Sequence, residues 1–146
     1  MRECHIYIES SLAWPKAGSG IVGLIFTDKN DGFTKTLFGR VDNATENKAI
    51  LIGIKNALKY CSSFDVINLH LTCRYVAAGF NWLPSWKQKD FKNKKGELVK
   101  DYELWQEIAR ELNEKELRIH LKEFNGYRKW LKAECLNRGR KHGFIL

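Results

Sequence analysis

Proline is almost missing from this chain of 146 residues, which has two, and methionine occurs once. So little proline excludes a proline-rich linker or recognition tract, and neither a low-complexity segment nor an internal repeat breaks the sequence. The cysteines are four and far apart, at positions 4, 61, 73 and 135, with no CxxC or CxH pair. That spacing excludes the usual zinc and dithiol motifs. Scattered single thiols fit a reducing compartment, so a cytoplasmic location is expected. No apolar run is long enough to cross a bilayer, and the opening MRECHIYIES does not have the character of a signal peptide, so no membrane partner is expected. Acidic residues are in deficit, 17 against 25 basic, for a formal charge of +8. Such an excess points to a polyanionic partner, with nucleic acid first and an acidic protein surface second. The length and a 44% hydrophobic content suit one domain over 1–146, whose core needs neither disulfide nor structural metal.

What is present in quantity is a basic aromatic stretch over 82–106, WLPSWKQKDFKNKKGELVKDYELWQ. Over 87–100, Lys87, Lys89, Lys92, Lys94, Lys95 and Lys100 stand against only Asp90 and Glu97, while Trp82, Trp86 and Phe91 are interleaved as stacking faces. Cations in a row position phosphates, and aromatic faces grip bases or sugars. A solvated basic loop with its aromatics packed beneath it has the same composition.

Periodicity orders the rest. Alternating Ile6 and Ile8 predict a buried strand at 5–9 that ends on Glu9. Residues 20–27 and 33–41 predict a hairpin turned at Gly32. Asn43 with Glu46 has the spacing of a capping box ahead of a helix at about 45–60, with Ile50, Ile54, Ala57 and Leu58 as its apolar stripe. A strand at 65–72 carries Ile67, Leu69 and Leu71 on one face and Val66, Asn68, His70 and Thr72 on the other. Short helical pieces follow from 74, then a helix at about 101–113, a strand at 116–123 and a basic helix at about 128–140. The resulting α/β domain begins with an antiparallel meander and continues through crossovers that place the last two strands parallel to the first.

This order, with its landmarks, resembles type 1 ribonuclease H over nearly the whole chain. Glu9-Ser10-Ser11 and the link through Trp14, Pro15, Lys16, Ala17, Gly18, Ser19 and Gly20 stand where that family has Asp-Gly-Ser and a Pro-Gly-rich link. Thr45-Glu46-Asn47-Lys48-Ala49-Ile50 matches the family's Thr-Asn-Asn-Arg-Met-Glu helix opening, and Leu71-Thr72-Cys73-Arg74-Tyr75-Val76 its Thr-Asp-Ser-x-Tyr-Val. The basic stretch looks like the family's handle, about 82–100, followed by Leu104-Trp105-Gln106. The resemblance implies a five-stranded mixed sheet flanked by helices, its first three strands an antiparallel meander and its fourth and fifth parallel to the first.

The family's hydrolysis uses two Mg²⁺ ions about 4 Å apart, held by four clustered carboxylates, since hard cations need oxygen ligands. Carried over residue by residue, the first carboxylate falls on Glu9, the second on Ile50 and the third on Thr72. The fourth falls on Glu134 with a one-residue shift, or on Cys135 or Leu136 with other turns, because 124–127 lacks the family's Gly-His-x-Gly loop. Hydrolysis is therefore not expected, and no cofactor is expected, with Mg or Mn bound at Glu9 and Glu134 if the protein is active. Glu46 and His70 are the available substitute ligands, against their simpler roles as a helix-cap acid and a packed histidine. For Glu9 the simpler role is pairing with a cation such as Lys132.

Binding residues match better. Thr45 and Asn47 stand where the family's helix opening touches the minor groove and 2′-hydroxyls, and Arg74 adds a possible phosphate contact. Arg128, Lys129, Lys132, Arg138, Arg140 and Lys141, less Glu134, give the last helix a local charge of +5. The expectation is a catalytically degenerate ribonuclease H-like domain that binds RNA–DNA hybrid or other duplex nucleic acid. An active enzyme with a rebuilt metal site and a protein-interaction or inhibitor module are the alternatives.

Overall fold

The computed structural model describes residues 2–13, 16–28 and 30–141. Trp14 and Pro15 of the glycine-rich link, and the side chain of Lys141, lie outside the described residues.

Five strands form one sheet in the order β3-β2-β1-β4-β5. They are β1 (Glu3–Ser10), β2 (Gly18–Asp28), β3 (Phe33–Ala44), β4 (Val66–Leu71) and β5 (Glu116–Leu121). The first three make the expected antiparallel meander, and β4 and β5 run parallel to β1. Gly32, at φ 67°, supplies the left-handed turn between β2 and β3 that a residue with a Cβ resists. Central position explains burial: β1 and β2 are covered on both faces, whereas β3 and β5 are edge strands, β3 exposed over most of its length and β5 partly exposed.

Helices cover the two faces unequally. On one side lie α1 (Glu46–Leu58), α2 (Arg74–Gln88) and α3 (Tyr102–Glu111). They pack over Ile6, Ile8, Leu24, Ile67, Leu69 and Leu71 to make the main core. On the other side α4 (Arg128–Lys141) crosses β1 and β2, with Leu131 set on Tyr7 and Ile25.

Two local expectations are corrected. The cap of α1 is Thr45, whose Oγ1 accepts from the Lys48 amide at 3.2 Å. Asn43 cannot cap, because it sits at φ 52° and an N-cap is extended. The chain from residue 74 forms one helix of 15 residues, not short pieces, and runs through Pro84. A proline inside a helix costs about 3 kcal/mol. Val76, Ala77, Phe80 and Leu83 are buried along that helix, and at roughly 1.5–3 kcal/mol for each large apolar side chain their burial outweighs the break.

Candidate functional site

Parallel β1 and β4 end side by side, and their ends bring Glu9 and Thr72 together. The Thr72 hydroxyl donates to Glu9 Oε2 at 3.0 Å. Glu9 is 6% exposed, and burial pushes its carboxyl above the ordinary range. The Thr72 hydrogen bond, Lys132 and Arg128 pull the other way, and the nearby charge of Glu46 raises it further. Lys132 Nζ donates to the carbonyl of Ser10, next to Glu9, and Cys135 Sγ donates to the Glu9 carbonyl at 3.6 Å. Burial raises the Cys135 thiol to about 12, so it stays protonated.

The other carboxylate positions hold no substitute at this point. Ile50 is 3% exposed within the main core. Glu134 pairs with Arg138 one turn along α4, at 3.7 Å. The cleft lined by Glu9, Thr72, His70, Glu123, Asn125, Arg128 and Leu131 encloses only about 10 Å³. That is scarcely room for one water. Among the described residues no group of three or more His, Cys, Asp and Glu is arranged to hold a metal ion. One buried carboxylate acted on by the charges of Lys132 and Arg128 does not fit a pair of divalent ions, which need clustered anionic oxygens.

Of the substitute ligands, Glu46 opens α1 and reaches Glu9 through its charge. His70 belongs to a ladder of rings that the strand register builds. Tyr7 pairs with His70 across β1 and β4, and His70 with His120 across β4 and β5. Their rings stack at 4.1 and 4.4 Å. His5 Nδ1 and His70 Nε2 share a hydrogen bond at 2.8 Å, so one of the two must accept and be neutral there. His120 bonds to Asn68 at 2.8 Å and to Glu123 at 3.0 Å. The signal for this ladder was present in the sequence as His5, Tyr7, His70 and His120 at same-face positions of three strands. Arg128 was noted only as one cation of a basic helix.

The duplex-binding candidates sit around the first turns of α1 and α2. Thr45 caps α1, and Asn47 Oδ1 accepts from Cys73 Sγ at 2.8 Å. Both side chains keep donors, a hydroxyl hydrogen and an amide NH₂. Arg74 is exposed at the start of α2. From there α2 carries the chain roughly 22 Å to the basic stretch.

That stretch is a built hairpin. Asn93 Oδ1 accepts from the amides of Lys95 and Glu97 at 2.9 and 3.0 Å, and Asn93 N donates to the Glu97 carbonyl at 2.8 Å. Lys87, Lys89, Lys92, Lys94, Lys95 and Lys100 are all exposed, and Trp82 is 60% exposed. Phe91 corrects the expectation of a third stacking face. Asp90 and Phe91 both take left-handed backbone, at φ 52° and 59°, and this turn drives the Phe91 ring into the core, 7% exposed. Trp86 is half-buried against Trp105, with ring centres 5.4 Å apart. One tryptophan is thus presented, and two aromatic rings anchor the loop that carries the lysines.

No protein-family model matches the chain. The ribonuclease H of Wolbachia sp. subsp. Drosophila simulans (strain wRi) is 32% identical over 109 residues, which are 73% of this chain and 72% of that protein. A structure of the foamy viral protease-reverse transcriptase in complex with dsDNA overlays with TM-score 0.72 at 15% identity, covering 99% of this chain and 95% of that one. Another, in complex with RNA/DNA hybrid, overlays with TM-score 0.69 at 16% identity, covering 92% of this chain and 19% of that one.

Proposed function

The chain belongs to the ribonuclease H family, and on that premise we propose that it binds RNA–DNA hybrid, or a related duplex, without cutting it. The observation that carries this reading is the surroundings of Glu9. The one carboxylate at the family's metal position is buried and bonded to Thr72, with Lys132 and Arg128 acting on it. The charges of Lys132 and Arg128 already act on the one carboxylate, where a metal site would need divalent ions to balance clustered carboxylates. The grip is left to surfaces that stay open. Donors at Thr45 and Asn47 suit 2′-hydroxyls in a wide minor groove, and Arg74 and the handle lysines suit the phosphates of the strands beside it. Trp82 offers a face to a terminal or distorted base.

The test pairs binding with cleavage. An end-labelled hybrid is incubated with wild type and Glu9→Gln in Mg²⁺ and then Mn²⁺, and no product above the Glu9→Gln control is expected. Cleavage lost on that substitution would establish a rebuilt metal site and an active enzyme. In parallel, affinity for the hybrid should fall by ~10³–10⁵ between 50 and 200 mM salt if six or more phosphates are contacted. The triple change Lys92→Ala, Lys94→Ala, Lys95→Ala should lower the slope of log affinity against log salt by roughly 3. Affinity indifferent to salt would reject nucleic acid and leave a protein partner for the basic face.

A further inference from the structure

The segment that joins β5 to α4 exposes aromatic surface that the duplex reading does not use. Phe124 is 98% exposed, Trp130 49% and Tyr127 36%. Leaving a phenylalanine wholly in water forgoes about 2 kcal/mol of burial, and exposed rings at 124, 127 and 130, close along the chain, are the kind of apolar surface that marks an interaction site. The segment is held in shape. Asn125 Oδ1 accepts from the amides of Tyr127 and Arg128 at 3.0 and 2.9 Å, which fixes the first turn of α4. The Tyr127 ring packs on Tyr7 at 4.7 Å, so one side of the patch is anchored to the sheet.

Charge identifies the partner. Lys122, Arg128 and Lys129 are exposed on the same segment, while its one acid, Glu123, bonds to His120. Asn125 and Arg128 also line the Glu9 cleft, so the patch borders the place where β1 and β4 end. Cations beside exposed rings suit a nucleic-acid strand, with phosphates on the lysines and bases on the rings. Bases inside a duplex have both faces occupied by their neighbours. Away from the outer face of a terminal pair, only an unpaired base can lie on a side-chain ring.

We infer that Phe124, Tyr127 and Trp130, with Arg128 and Lys129, form a stacking platform for unpaired nucleotides, so that the preferred ligand is a duplex with a single-stranded extension. This rests on the duplex-binding reading above, and its test separates the two. Three labelled ligands are titrated at one salt concentration: a blunt RNA–DNA hybrid, the same hybrid with an overhang of about eight nucleotides, and the overhang strand alone. Wild type should bind the overhang hybrid at least ~5-fold more tightly than the blunt one, the gain from one stacked base. The double variant Phe124→Ala, Trp130→Ala should erase that preference and keep the blunt affinity. Phe124 is almost wholly exposed and Trp130 about half, and the retained blunt affinity reports that the fold is intact. Equal wild-type affinity for blunt and overhang hybrids overturns the platform, as does a variant that weakens both alike, and a protein then becomes the occupant. If the strand alone binds through these rings and the blunt hybrid does not bind at all, the platform stands and the duplex reading falls.

Discussion

Glu9 shows how much the meaning of one residue depends on its neighbours. Its carboxyl is raised by burial, more than Thr72, Lys132 and Arg128 lower it. A carboxyl with a raised folded pKa holds its proton more tightly in the native state than in the unfolded chain. Its contribution to stability is then complete below the unfolded value and is lost as pH climbs through the folded one. Glu9→Gln keeps a neutral, hydrogen-bonding group there without the cost of a buried charge. At neutral pH the variant should melt higher by ~2–4 °C, about what 1 kcal/mol gives in a domain of this size. The two proteins should converge near pH 3. Thermal melts from pH 3 to 8 check this, and a variant that melts lower at pH 7 would mean that the cations need the negative charge more than burial opposes it. Periodicity puts Glu9 and Thr72 on strands and Ile50 on a helix, and the family resemblance is what singles them out. Arg128 could not be read as a neighbour of Glu9. Which residue of α4 faces the cleft depends on how that helix sits on β1 and β2, and no local spacing sets that.

Elements follow the same division between local and packed information. Strand alternation and the Gly32 turn specify the meander, and Ile50, Ile54, Ala57 and Leu58 correctly mark the buried side of α1. Local chemistry misled at Asn43, where the backbone turns left-handed before the helix starts, and beyond residue 74, where short pieces are expected and one helix instead runs through Pro84. Phe91 misled for a third reason: an aromatic among lysines has the same spacing whether it faces water or core. The contact between α2 and α3 gives the sharpest test at this scale. Trp105 is fully buried, with Phe80 and Trp86 against it edge to face. A Cβ built on Gly79 would lie 2.3 Å from the ring of the fully buried Trp105. Gly79→Ala should therefore destabilise by ~1–3 kcal/mol, even though alanine favours a helix. Urea unfolding measures it. An unchanged or higher midpoint would show that α2 and α3 can separate without loss, and the handle would then not be rigidly mounted.

Across the whole molecule, positive charge lies on structures on both faces of the sheet. The handle extends α2 on the α1 side, and α4 lies on the other. In a two-metal nuclease, clustered carboxylates repel the phosphate until divalent ions arrive, so tight binding needs the metal. Here Lys132 and Arg128 act on the single buried carboxylate, and the formal charge of the chain is +8. Hybrid affinity should then be independent of divalent metal once ionic strength is matched. Replacing Mg²⁺ with EDTA and compensating monovalent salt should change Kd by less than ~2-fold, and added Mg²⁺ should act only as a competing counterion that weakens binding. Fluorescence anisotropy with labelled hybrid reads both effects. A gain in affinity of more than ~10-fold on adding Mg²⁺, about 1.4 kcal/mol, would mean that the ion bridges protein and phosphate. Glu46, the carboxylate whose charge acts on Glu9, would be the first ligand to test, because Glu46→Gln would then abolish the Mg²⁺ gain, whereas with the cations in charge it should leave the affinity unchanged or slightly raise it.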